Sequence, residues 1–171
     1  MNSILIIGQL LDAVGAVEGR KKFQKLVHIL QYLKLIPSHF KFGYLHYGPY
    51  SEGLDVELRT FGEEGLIQEE QIETGPYKAY RFTAKEKLTN LVKKLGDSKP
   101  LSHAEVVKEL NGKSSLELEA ISTILYLRSS GKDGKALKDT FCELKPKLAK
   151  DFEQRLKAAR ELEKRVLPKA A

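Results

Sequence analysis

The chain has 171 residues, 42% of them hydrophobic and 30% charged, enough to bury an ordinary core and too apolar for a disordered chain. Its formal net charge of +6 is a mild excess spread over both halves, and by itself it does not imply nucleic acid. The single cysteine, Cys142, excludes a disulfide framework and a cysteine-based zinc site, and fits a reducing, cytoplasmic compartment.

The N-terminal Ile4-Leu5-Ile6-Ile7 run lacks the basic lead of a signal sequence and is broken by Gln9 and Asp12. No stretch approaches the roughly 18 uninterrupted apolar residues of a membrane span, so export and membrane insertion are not expected. Residues 3 to 16 read instead as a helix, with Ile4, Ile7, Leu11 and Val14 at helical spacing. Gly15 and Gly19 break it. A second helix runs from Arg20 to about Leu35, with Phe23, Leu26, Val27, Leu30 and Leu33 on its apolar stripe. Arg20, Lys21, Lys25 and Gln31 are expected on the opposite, solvent-facing side.

Residues 40–47 are aromatic-rich and suit a short strand or an extended connector, punctuated by Gly48-Pro49. Ser51 can cap a third helix to Glu64, with Leu54, Leu58 and Phe61 inward and Gly65 at its C-cap. Residues 66–72 and 77–82 then form a hairpin around the turn 73–76, with Tyr80 and Phe82 on one face. Thr83 and Glu86 have the spacing of a capping box for a fourth helix through Leu95. Residues 96–100 read as a linker.

Everything beyond it reads as helix. Ser102 and Glu105 suit a cap for a short helix through Leu110, stopped by Asn111-Gly112. Ser114 and Glu117 cap another, whose Leu118, Ile121, Ile124, Leu125 and Leu127 are crowded enough to be a buried centre. A loop at 129–134 precedes a helix over 135–144. The last helix covers 147–166, with Leu148, Phe152, Leu156, Ala159 and Leu162 inward.

The expected class is mostly α with a small β-hairpin wing. A winged-helix-like module over 1–96 is followed by an all-helical C-terminal lobe over 97–171, packed on it or continuous with it as one domain. The hairpin after the third helix is the diagnostic element.

Three blocks carry a resemblance: Gly19-Arg20-Lys21-Lys22-Phe23-Gln24-Lys25-Leu26, then Tyr47-Gly48-Pro49-Tyr50-Ser51-Glu52, then Leu66-Ile67 with Tyr77 to Thr83. Together they resemble the YwgA-like family of prokaryotic proteins, over roughly residues 3–95. More distantly they are similar to Panacea (SocA-like) domains, which share a Lys-Leu-Gln-Lys-Leu helix and a Gly-Pro turn. The Panacea resemblance implies antitoxin or adaptor roles, which are protein-binding functions. Some relatives are described as DNA-binding regulators.

No set of residues assembles a nucleophile, a base and an oxyanion site, so an enzyme is not expected. Gly112-Lys113-Ser114 is only the tail of a phosphate-binding loop and lacks its first glycine, Val107 standing there. His28, His39, His46 and His103 are scattered without metal-ligand spacing, and no cofactor is implied. Cys142 reads as a small buried hydrophobe.

Two binding readings stand. The first is a non-catalytic regulatory or adaptor module that binds a protein partner through the aromatic turn and the start of the third helix: Tyr47, Tyr50, Glu52 and Asp55. The second is a winged-helix DNA-binding regulator using the basic start of helix two: Arg20, Lys21, Lys22 and Lys25. The first is preferred because the third helix, which would enter the major groove, carries Glu52, Asp55, Glu57, Glu63 and Glu64 against Arg59 alone. A continuous basic stripe joining helix two to Lys85, Lys87, Lys93 and Lys94 would favour DNA. A homodimer through the apolar helices of the C-terminal lobe is a third reading.

Overall fold

The computed structural model describes residues 3–95 and 100–168. It is mostly helical with two small antiparallel sheets. Helix α1 (Ser3–Val14) is apolar nearly all round, and Leu5, Ile6, Ile7, Leu10 and Leu11 are all buried. A helix with most of its surface buried must let its neighbours approach closely. Gly8 does this: a Cβ there would lie 2.5 Å from Val92 Cγ2 on α4 (Glu86–Lys94).

Strand β1 (Ala16–Glu18) follows, where only a break was expected. Three residues between two glycines carry too little periodicity to read as a strand. They become one by pairing antiparallel with β5 (Tyr77–Ala84), Val17 opposite Phe82. Helix α2 (Arg20–Tyr32) ends three residues sooner than Pro37 suggested, because Leu33 caps it and Lys34 turns left-handed at φ 57°.

The segment 40–50 is a hairpin in its own right. β2 (Gly43–Leu45) pairs with β3 (Gly48–Tyr50) around His46-Tyr47, so Gly48-Pro49 lies in a strand and not in the turn. Helix α3 (Glu52–Glu63) begins as its cap predicts, with Ser51 Oγ accepting from the Leu54 amide at 3.3 Å. Leu54, Leu58 and Phe61 face the core.

β4 (Ile67–Thr74) and β5 form the expected hairpin around Gly75-Pro76, and with β1 they make a sheet in the order β1-β5-β4. The Thr83–Glu86 capping box does not form. Thr83 is consumed by β5, where it lies opposite both Gln68 and Ala16, and the residue at the helix N-cap is Lys85.

The linker predicted at 96–100 falls outside the described residues except for Pro100. Helix α5 (Ala104–Gly112) starts from His103 in a left-handed conformation, and Ser102 supplies no cap. The Ser114–Glu117 box at the start of α6 (Ser115–Ser129) is complete: Glu117 Oε2 accepts from the Ser114 amide at 2.9 Å and Ser114 Oγ from the Glu117 amide at 3.2 Å. α7 (Gly134–Leu144) is followed by a 3-10 turn (Pro146–Asp151) and then α8 (Phe152–Val166). The last α-helix therefore begins five residues later than expected, after a segment that opens with Pro146.

One cluster of buried side chains runs through the described residues, from Ile6 and Phe23 to Ile124, Phe141 and Leu162. Helix α6 lies at its centre and packs against α2, β3, α7 and α8. Among the described residues, no helix is long and apolar enough to cross a membrane.

Candidate functional site

Arg20 and Lys21 are exposed as expected, but beyond them the polar side of α2 is not a solvent face. Gln24, Lys25, His28 and Gln31 are spaced to share one side of a helix, and all four are buried. Each is turned to the backbone or side chains of the segment that follows. Gln31 Nε2 donates to the Phe40 carbonyl at 2.9 Å, while its Oε1 accepts from the Phe40 amide at 2.9 Å. Gln24 treats Ser51 in the same way, with both bonds at 2.9 Å. Two glutamines thus satisfy both backbone groups of a residue at either end of the β2–β3 hairpin.

Lysines hold the hairpin between those ends. Lys25, only 2% exposed, donates from Nζ to the Pro49 carbonyl at 2.6 Å. Lys145, from the junction after α7, donates to the His46 carbonyl at 2.7 Å and also to Glu119 Oε1 on α6. Burial pulls the Lys25 pKa down to about 8; the Glu119 carboxylate opposes this, and the Lys145 and Lys21 cations add to it. Lys25 is therefore still mostly charged at neutral pH. Gly48 closes the seat. It sits at φ 86°, and a side chain there would meet Thr123 Oγ1 at 3.0 Å.

His28 anchors the layer beneath. Its Nδ1 lies 2.8 Å from Ser122 Oγ, and its ring packs edge-on to Phe42 at 5.0 Å. Burial and the nearby Lys25 charge lower its pKa to about 3, so the ring is neutral at physiological pH.

The seat presents an exposed tip. Leu45 is 55% and Tyr47 56% exposed, large apolar side chains held on a fixed backbone. Lys21 Nζ stands 3.1 Å from the centre of the Tyr47 ring. At the end of β3, the Tyr50 phenol has its pKa raised by burial first and by the nearby Asp55 carboxylate second. Asp55 also pairs with Arg59 at 3.2 Å. Glu52 and Val56 are exposed on the same helix.

A search of curated proteins gives one relative, "Uncharacterized protein YwgA" of Bacillus subtilis (strain 168), 32% identical over 120 residues. The similarity supports a YwgA-like family. The match covers 66% of this chain and 66% of the YwgA relative, so the chain spans just under two thirds of the YwgA length. No family model matches, and no solved structure matches.

The two sets of predicted site residues meet at one point, where Lys21 covers Tyr47. Tyr50 stands close enough to Asp55 and Glu52 for both charges to act on its phenol. The basic set is otherwise dispersed. Arg20 Nε bonds to Glu69 Oε1 on β4 at 2.7 Å and lies over the Tyr80 ring, and Lys22 Nζ bonds to the Asn111 carbonyl on α5. Lys25, expected on the solvent side, is buried under the hairpin because a backbone carbonyl awaits it there. On α4's side Lys87 Nζ donates to the Glu64 carbonyl at 2.8 Å.

Sequence reasoning missed Glu119 and Lys145 as partners of the hairpin, since no local pattern connects residues so distant in the chain. Gln24, Lys25, His28 and Gln31 did carry a signal: polar groups at helical spacing directly before a Gly- and Pro-rich loop with many backbone groups to satisfy. Among the described residues, no three His, Cys, Asp or Glu side chains stand together as metal ligands. A cleft of about 340 Å³ between α1, α4 and α5 has Leu88, Val92 and Leu101 in its walls and Asp12 and Lys93 among its polar residues.

Proposed function

We propose that this protein is a non-catalytic binding module that docks a protein partner on the tip of the β2–β3 hairpin and the adjoining first turns of α3. The contact residues in this reading are Leu45, Tyr47, Tyr50, Glu52, Asp55 and Val56. The observation that supports it is the investment beneath the tip. Two buried lysines and two buried glutamines fix the hairpin backbone, while Leu45 and Tyr47 remain more than half exposed. Exposed aromatic and aliphatic groups on a rigid frame are the usual energetic centre of a protein interface, because little conformational freedom is lost on binding. The distant likeness to Panacea domains, with their adaptor roles, points the same way. Within this reading, the winged-helix-like module expected over 1–96 acts as the scaffold.

The second reading is DNA binding through Arg20, Lys21, Lys22 and Lys25. It is the weaker one. These cations are engaged by Glu69, Tyr47, the Asn111 carbonyl and the Pro49 carbonyl, and α3 carries an acidic excess. Phosphate binding needs cations free to replace counterions.

Fluorescence anisotropy of a labelled random-sequence duplex, titrated at low and physiological salt, separates the two. The protein-docking reading predicts no binding at physiological salt. Tight, salt-sensitive binding that is lost in Lys21→Glu would overturn it and move the function to the start of α2.

A further inference from the structure

The order β1-β5-β4 leaves β4 with one neighbour among the described residues, so its other edge is unpaired. Which of its backbone groups point outward follows from two hydrogen bonds. Gly19 donates to the Tyr80 carbonyl at 2.7 Å, so Tyr80 directs its backbone groups toward β1. Its neighbour Arg81 must then face β4, where it lies opposite Glu70. At the far end, Lys85 donates to the Leu66 carbonyl at 2.9 Å, in the same phase. Glu70 and Ile72 therefore spend their amides and carbonyls on β5, while Glu69, Gln71 and Glu73 aim theirs at solvent.

An open edge eight residues long is a ready template for strand addition. Its side chains select the partner. The strand Ile67-Gln68-Glu69-Glu70-Gln71-Ile72-Glu73-Thr74 holds three carboxylates and no cation, and of the three Glu69 is already paired with Arg20. A second copy is a poor occupant: antiparallel self-pairing centred on Gln71 sets Glu69 of each copy against Glu73 of the other, and like charges directly opposite destabilise a ladder. Near the start of the strand the edge opens into a cleft of about 460 Å³ between α3 and β4, with Gly62 and Glu63 on the helix side and Gln68 and Glu69 on the strand, and with Arg59 and Lys85 also in its wall.

We infer that β4 is a docking edge for an extended basic segment of a protein partner, which adds as a fourth strand beside Glu69, Gln71 and Glu73. A cation of that segment placed beside Glu73 would meet its carboxylate, while Glu69, on the same face of the strand, keeps its pairing with Arg20. Main-chain bonds supply the affinity and the carboxylates the choice of sequence. The surface is separate from the hairpin tip, so this inference and the proposed function can fail independently.

The probe is a labelled octapeptide alternating Lys and Thr, with two controls: the same peptide N-methylated at alternate amides, and one alternating Glu and Thr. Binding is read by anisotropy at low salt. The Lys-Thr peptide is expected to bind, the Glu-Thr peptide not to. N-methylation in the phase that faces β4 should weaken binding by at least about fivefold, the loss of roughly one main-chain hydrogen bond. Gln71→Pro removes an outward amide without touching the ladder to β5 and should have the same effect, with an unchanged circular dichroism spectrum. Leu45→Ser/Tyr47→Ser should bind the peptide as the wild type does. No binding of the Lys-Thr peptide, or binding indifferent to N-methylation in either phase, would overturn the inference; the latter would mean simple attraction of a polycation.

Discussion

At position 28 an imidazole stands where a leucine would have packed as well, and the reason is its hydrogen bond to Ser122 across the α2–α6 contact. The cost is a group that must stay neutral. Its folded pKa of about 3 lies below the ordinary value of 6.5. Between those values the unfolded chain binds a proton that the folded protein refuses. The contribution of His28 is thus whole above pH 6.5 and is lost as the pH falls, at up to about 1.4 kcal/mol per unit. Urea unfolding from pH 7.5 down to 4 should show a steeper loss of stability in the wild type than in His28→Gln. Parallel curves would mean that His28 does not titrate with unfolding. Lys25 works in the opposite range: its pKa of about 8, against 10.5 in the unfolded chain, makes its contribution grow as the pH rises from 8 to 10.5.

At the scale of elements, the β2–β3 hairpin is far too short to be stable alone, and its form is imposed by α2, α6 and the junction after α7. Lys145 shows the dependence most clearly. Lys145→Met would strip the His46 carbonyl of its donor and leave the partly buried Glu119 carboxylate with only the Lys25 charge nearby, at an expected cost of about 3 kcal/mol. Chemical denaturation checks this; a loss under about 1 kcal/mol would show that the pair is solvated and does not hold the tip. The same dependence decides what was legible in the sequence. Helix α3 with its Ser51 cap, the α6 capping box and the β4–β5 hairpin announce themselves through neighbours three or two residues apart. β1 exists only through a partner far along the chain, and periodicity carries no trace of it; for the β2–β3 hairpin the sequence offers only a short strand or connector over 40–47, because the seat that fixes it comes from α2, α6 and the junction after α7. The failed Thr83 box has the same origin: β1 and β4 both pair with that stretch of β5, and tertiary pairing outweighs a local cap. At the candidate site, Tyr47, Tyr50 and Asp55 could be picked out because aromatic and acidic residues flank a Gly-Pro step. The burial of Lys25 is hinted at only by the polar groups that share its side of α2, because a lysine at helical spacing opposite an apolar stripe looks solvated until its carbonyl partner is known.

Across the whole molecule, α6 gathers the parts into one arrangement. Its Ser122 meets α2, Glu119 meets Lys145, and Glu117 binds Arg155 on α8 at 2.9 Å. Glu163 on α8 reaches back to Tyr32 at the end of α2, at 2.6 Å. The C-terminal helices therefore support the face that the hairpin displays, and the tip stands out from a rigid body. If that tip is the docking surface, its loss should abolish partner capture and leave the scaffold intact. The direct measurement is quantitative affinity capture from a lysate of the source cells with wild-type protein and with Leu45→Ser/Tyr47→Ser, after matching their melting temperatures. The expected result is a protein held by the wild type and lost from the variant at equal stability. The same protein retained equally by both would contradict it.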